Sequence, residues 1–367
     1  MKWIGEKIKE LIKENNSSIV KIAEKTGVSR QTVNDWIRGQ IPKGNHLINL
    51  CKIFNVNPDY FFSEHVENAI SMPVHRTRKA AKVTDAMQQH ALELAGIYAV
   101  LFKNEEDSGI FPVLRVHVRD NAGAKKIASE LRKRAAIGQG IPPSYEQTFA
   151  LMAHLGIKVI CRPFPDIIKA YAFYTKIHGH RVIFVNNNTN IIDLIFPVLH
   201  EAVHAIRDEN HINAGFDRAE EDFCDMVANY IQFPDEYVRM VYDVINGLPE
   251  GIQVNKLKTF GTKYAHALFG IVKQIKTIDP DFNLKIGGAD SNLKKGFPTI
   301  GDILFTGDDP RGYVAKMSAL SPLFTDTIRN QLDSISNNKL GEMLGIESVL
   351  DARAIKDELM KLKRMAS

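Results

Sequence analysis

The chain has 367 residues, 44% hydrophobic and 25% charged, with a formal net charge of +4. This is the composition of a folded globular protein and excludes a disordered or fibrous one, while the length exceeds one ordinary core and predicts several modules. No apolar run approaches the roughly 18 residues of a membrane helix, and the opening segment mixes charge with apolar residues, unlike a signal peptide, so a cytoplasmic protein without membrane contact is expected. Three well-separated cysteines, Cys51, Cys161 and Cys224, form no C-x-x-C pair; they predict packed thiols in a reducing compartment rather than disulfides or a thiolate zinc cage. The charge is uneven. Residues 1–62 hold ten Lys or Arg against six Asp or Glu, whereas the other 305 hold 37 of each. A compact basic end on a neutral body suits a module that contacts phosphates.

In chain order, Trp3, Ile4, Ile8, Leu11 and Ile12 predict a helix over 3–13, and Ile19, Ile22 and Ala23 a second over 18–25. Gly27 should close that helix, Val28 should be buried, and Ser29 should cap a third helix over 30–38. A further helix follows Pro42, with Leu47, Leu50, Cys51 and Phe54 inward, and Val56 to Phe62 should form a fifth short helix capping the bundle. The run I-A-E-K-T-G-V-S-R-Q-T-V-N-D-W-I-R-G, followed by a proline and L-x-x-L-C-K-I-F-N-V, resembles the phage-repressor (XRE) helix-turn-helix family over residues 3–62. The resemblance implies that the third helix enters the major groove of double-stranded DNA. Arg30, Gln31, Thr32 and Asn34 would then face base edges, Arg38 and Lys43 would sit near phosphates, and Val33, Trp36 and Ile37 would be core.

From Ser63 to Lys82 the periodicity loosens, which suggests a linker leading into a helix, and its basic run at Arg76–Lys82 suits either a contact with DNA phosphates or a solvated, hinge-like surface. One long helix is expected over 83–103, others over 122–136 and 145–155. Strands are expected at 157–161, 170–176 and 181–185, with Gly179 turning between the last two.

Residues 191–208 read as a buried helix carrying His200-Glu201-Ala202-Val203-His204. Helical spacing puts the two imidazoles on one face, where they can hold one divalent ion, with Glu201 beside it as a general base. A hydrolytic site needs a third protein ligand. The acidic segment Glu220-Glu221-Asp222-Phe223-Cys224-Asp225 offers Glu220 or Glu221; Glu221 shares a face with Cys224 and Asp225, Glu220 more naturally points outward, and Cys224 is a weaker alternative. Tyr171, Tyr174 and His180 are candidates to stabilise an oxyanion. The strand V-I-F-V-N, the helix ending L-H-E-A-V-H and the segment E-D-F-C-D-x-V-A closing at Pro234 resemble the ImmA/IrrE metallopeptidases over Leu151 to Pro234. That resemblance implies Glu221 as the third ligand and zinc as the cofactor, with Mn2+ or another divalent ion as alternatives.

The C-terminal third should hold two helices around Gly261, a polar irregular stretch from Gly287 to Gly312, and helices near 313–320, 323–334, 339–344 and 348–365. It resembles the tails of longer regulators that fuse both modules. The expected fold class is multidomain: an all-α helix-turn-helix head (1–65), a linker and helical connection (66–120), an α+β zincin-like peptidase domain with a small, about three-stranded sheet (121–245), and a mostly helical regulatory or partner-binding region (246–367). The resemblances imply a DNA-binding, zinc-dependent endopeptidase of conditional activity, acting in stress or mobile-element response. Its protein substrate would be a helix-turn-helix repressor, in trans, or its own linker; a second copy of the chain is a further candidate partner. The alternative is a transcription regulator or antitoxin using the metal fold as a non-catalytic module.

Overall fold

The computed structural model describes residues 2–15, 17–54, 56, 61–63, 70–71, 84–103, 105, 119–138, 140–207, 218–306 and 309–366. They form two compact units, Met1–Glu67 and Asn68–Ser367.

The first unit packs α1 (Glu6–Glu14), α2 (Ile19–Thr26), α3 (Arg30–Ile37) and α4 (Gly44–Phe54) around Ile8, Ile22, Val33, Trp36, Leu50 and Phe61. Gly27 ends α2 in the left-handed region at φ 69°, which costs a glycine no Cβ clash, and the Ser29 hydroxyl caps α3 by accepting from Thr32 N at 3.0 Å. Val28, expected to be buried, is half-buried against this core. The first expected helix starts later than its periodicity suggests. Lys2–Trp3 form a short strand, β1, antiparallel to β2 (Phe62–Ser63), because Trp3 stacks on Phe61 with ring centroids 5.4 Å apart and donates from Nε1 to Trp36 O at 2.7 Å. At Gly5 a Cβ would lie 2.1 Å from Trp36 O, so only glycine lets the chain pass there. Of the expected fifth helix, Val56, Phe61 and Phe62 are described, Val56 outside any helix and Phe62 in a strand; residues 57–60 lie outside the described residues.

The second unit is built on one sheet. Its strands β3 (Ile70–Ser71), β4 (Lys158–Arg162), β5 (Ala172–Ile177) and β6 (His180–Asn186) lie in the order β3-β5-β6-β4. β4 runs parallel to β6, and the other pairings are antiparallel. The three expected strands form, and a fourth joins them from the segment read as linker. Every residue of β6 is buried, which is why it reads as an apolar run without alternation. Phe173 and Phe184 stack across the β5–β6 pair at 4.8 Å. The helix expected over 83–103 divides into α5 (Asp85–Gly96) and α6 (Ala99–Phe102), since the break sends the fully buried Tyr98 to donate to Met343 O. Helices α7 (Asn121–Arg134) and α8 (Tyr145–His154) follow. The motif helix α9 (Ile191–Arg207) packs on β5, β6, α8 and α10 (Arg218–Gln232).

Helices α11 (Asp235–Ile245), α12 (Glu250–Tyr264), α13 (Leu268–Ile278), α14 (Gly287–Lys294), α15 (Ile300–Leu304), α16 (Pro310–Leu320), α17 (Pro322–Gln331), α18 (Asn337–Leu344) and α19 (Val349–Ala366) complete the chain. They share one hydrophobic core with the sheet and α9. Two expectations change here. The helix over 250–264 runs through Gly261 and ends at Ala265, in the left-handed region at φ 50°; Gly261 marks a close approach, where a Cβ would come within 2.7 Å of Leu293 and 2.8 Å of Leu268. The stretch expected to be irregular is largely helical, because Thr299 and Asp302 form a capping box for α15, and Asp309 with Pro310 opens α16. These helices also anchor the start of α9. Asn190 Nδ2 donates to Lys294 O at 2.9 Å and Phe297 O at 2.7 Å, and Lys294 Nζ lies 2.8 Å from both Asp193 and Asp290. Among the described residues no helix is long and apolar enough to cross a membrane.

Candidate metal centre

Only Asp193 and His204 of α9 are not fully buried, so the motif lies inside the core. One helical turn separates His200 from His204 and brings their Nε2 atoms to 3.1 Å. Glu221, near the start of α10, reaches across the helix pair. Its Oε2 is 3.3 Å from His200 Nε2 and its Oε1 3.3 Å from His204 Nε2. Ligand atoms held tetrahedrally about 2.0–2.1 Å from zinc lie about 3.3–3.4 Å from one another, close to the 3.1 Å between the two imidazole nitrogens and the 3.3 Å from each of them to one oxygen of the Glu221 carboxylate. The donor set, two imidazoles and one carboxylate, suits zinc or a neighbouring divalent metal.

The surrounding groups orient these ligands. Asp225, one turn beyond Glu221, has Oδ1 3.0 Å from His200 Nδ1; a proton held there leaves Nε2 free to ligate. Lys273 from α13 lies 3.6 Å from the other oxygen of Asp225. Burial by itself lowers the pKa of His200, but its bonds to Asp225 and Glu221 more than reverse this and raise it to about 10. The same pairing overcomes the desolvation of Glu221 and brings that carboxyl down to about 2, whereas burial keeps His204 below its ordinary value. The carboxylates of Glu221 and Asp225 thus favour positive charge at this point, which a divalent ion at His200 Nε2 would supply in place of the proton.

Glu201 is 0% exposed, and its Oε2 accepts a hydrogen bond from the Tyr174 backbone N–H at 3.1 Å. A backbone donor on β5 thus aims the motif carboxylate. No side-chain pattern announces such a contact, so sequence reasoning could not find it; the apolar strand beside the motif was its only trace. Tyr174 contributes here through its main chain and Tyr171 accepts from Asn186 N at 2.9 Å through its carbonyl, while the His180 ring bonds Lys158 Nζ at 3.2 Å and Glu105 O at 3.1 Å.

The expected orientation of Glu220 is corrected. It is 6% exposed, not outward, because Arg207 at the end of α9 pairs with both of its oxygens and Arg119 Nε lies 3.1 Å from Oε2. A second grouping of donor atoms, His204, Glu220 and Cys224, exists beside the first. It suits a metal less well: Glu220 is already neutralised by two guanidinium groups, and burial followed by the nearby carboxylates pushes the Cys224 thiol well above its ordinary pKa. Cys224 Sγ instead lies 3.7 Å from His204 Nδ1.

In the first unit, Arg30, Gln31, Arg38 and Lys43 are exposed, Thr32 and Asn34 are half-buried, and Val33, Trp36 and Ile37 are core. Gln31 donates to Asp35 Oδ1 at 3.0 Å, and the Thr32 hydroxyl lies 2.9 Å from that of Ser29. The helix-turn-helix family model matches residues 8–61. This unit is a helix-turn-helix domain. It binds double-stranded DNA, and the chain has the role of a DNA-binding transcription regulator. No curated protein matches the chain.

Proposed function

We propose that this regulator is also a metallopeptidase, in which the helix-turn-helix head is tethered to a zincin-like body that hydrolyses a peptide bond in a repressor-type protein. The observation that carries this reading is the convergence of His200, His204 and Glu221 at 3.1–3.3 Å beside a carboxylate, Glu201, held by the Tyr174 amide. His200, His204 and Glu221 would hold the ion, zinc or another divalent metal such as Mn2+, with Asp225 fixing the His200 ring. When bound, zinc supplies Lewis acidity and makes water nucleophilic near neutral pH. Glu201 would serve as the general base and then as proton donor to the leaving amine, its carboxylate held in place by the Tyr174 amide. Arg30, Gln31, Thr32 and Asn34 would face base edges, with Arg38 and Lys43 at phosphates, locating a cytoplasmic enzyme at an operator where its substrate also binds. Cleavage in trans fits a substrate with its own helix-turn-helix domain; cleavage of the segment after this chain's own head is the cis version.

The test is metal content and turnover on the full chain. Wild type should hold about one zinc per chain and His204→Ala nearly none, since structural and catalytic zinc sites need three or four protein ligands. Glu201→Gln should keep the metal and DNA binding and lose cleavage. Equal metal in wild type and His204→Ala would sink the site. A second reading, a regulator or antitoxin whose metal module is non-catalytic, is favoured by the complete burial of Glu201 and by His200 at 1% exposed; an activity in cells that survives Glu201→Gln unaltered would select it.

A further inference from the structure

The two-residue strand β3 matters more than its length suggests. Ser71 pairs in register with Tyr174 and Ile70 with Thr175, antiparallel to β5. Tyr174 is the residue whose amide holds Glu201 Oε2 at 3.1 Å. The outermost strand of the sheet, on the side of β5 away from β6, therefore pairs with the residue whose amide holds the motif carboxylate. A sheet edge recognises an extended peptide through main-chain hydrogen bonds, largely independent of its side chains. What lies on this edge is a piece of the same chain, beginning three residues after the helix-turn-helix unit ends at Glu67.

We propose that Ile70–Ser71 is an intramolecular occupant of the outer edge of β5, the edge on which a zincin-like body would take an extended peptide. The segment tethering the DNA-binding unit thus competes with any substrate strand. Two features make the occupancy exchangeable rather than permanent. A pairing of two residues is marginal by itself, whereas β5 runs six residues, Ala172–Ile177, and alternate ones along that length can bond a longer peptide on the outer edge. The occupant also gains its advantage from tethering, which gives a short linker a millimolar effective concentration of about 1 mM or more without any tight contact. The proposal rests on the metallopeptidase reading for its biological meaning, since only there is a peptide beside Glu201 a substrate.

The experiment uses the full chain in a Glu201→Gln background, so that a bound peptide is not cut. The probe is a fluorescent synthetic peptide spanning residues 64–75, followed by anisotropy. Replacing both Ile70 and Ser71 by proline removes the amide donors of β3 and should vacate the edge, so the peptide should bind that variant at least about 10-fold more tightly than the parent. Replacing both by glycine weakens the strand without removing a donor and should give a smaller gain; it stands in if the proline variant does not fold by circular dichroism. Equal affinity for parent and folded variants, or no binding to any, overturns the proposal. Zinc measured on the same samples separates the two ideas. A zinc-free protein that exchanges the peptide keeps the occupant and loses the metallopeptidase; a zinc-loaded protein indifferent to β3 does the reverse.

Discussion

The two helices that carry chemistry are opposite in kind. α3 turns Val33, Trp36 and Ile37 inward and shows Arg30, Gln31 and its flanking Arg38 to solvent, so its chemistry sits on a surface its core merely supports. α9 has almost no surface: its imidazoles and carboxylate are held by Glu221, Asp225 and Tyr174 from neighbouring elements, and its ends are tied to Arg207–Glu220 and to Asp193–Lys294. In the first case function and stability are separable by mutation. In the second the same contacts serve both.

The largest effect that should expose this difference comes from Glu220→Ala. It leaves the Arg207 guanidinium buried without its carboxylate, a loss of about 3–5 kcal/mol, seen as a fall in the denaturant midpoint of the larger unit. The zinc content of the fraction that remains folded should not change; if it falls to zero, Glu220 belongs to the ligand set and the comparison between the two donor groupings is wrong.

Next is acid sensitivity of the body. His266 is fully buried, with Tyr237 Oη 2.6 Å from Nε2, and burial lowers its pKa to about 4. A histidine that ionises near 6.5 when unfolded but near 4 when folded binds its proton more readily in the unfolded chain. Its contribution is therefore complete above about pH 6.5 and is lost as pH falls from 6.5 toward 4, by up to about 3 kcal/mol. Unfolding followed by a probe in the larger unit should weaken across that window, and His266→Gln should flatten the slope. An unchanged slope would remove His266 as the cause.

The smallest effect on stability, and the sharpest contrast, belongs to Lys43→Ala. It should leave the melting transition within about 0.5 kcal/mol of wild type, weaken DNA binding uniformly across sequences, and reduce the dependence of log K on log salt by about one. Loss of stability there would mean that the head is not the simple surface reader its exposed residues suggest.

Much of the candidate site was legible in advance for a physical reason. The spacing of His200 and His204 needs only helical geometry to converge, whereas face-sharing with Cys224 favours Glu221 over Glu220 without deciding between them, and the resemblance to the metallopeptidases is what names Glu221. Glu220 was misread because an acidic residue was expected at the surface, while its partners Arg207 and Arg119 lie 13 and 101 positions upstream in the chain, so no local pattern announces the ion pair. The polar stretch after Gly287 was misread for a related reason: capping by Thr299 and Asp309 outweighs a composition that suggests irregular chain. Gly261 reads in the sequence as a helix break but is a packing contact, since a glycine looks alike in both roles until its neighbours are known.

By itself the sequence determined what local physics governs: the helix-turn-helix with its Gly27 turn and Ser29 cap, the three strands, the buried helix, and which imidazoles share its face. Tertiary structure alone decided which distant groups meet those residues. It brought Asp225 to His200, the Tyr174 amide to Glu201, the C-terminal helices into the core that anchors α9, and Ile70–Ser71 onto the edge of β5. Backbone donors and long-range ion pairs carry no periodicity, and so they exist only once the chain has folded.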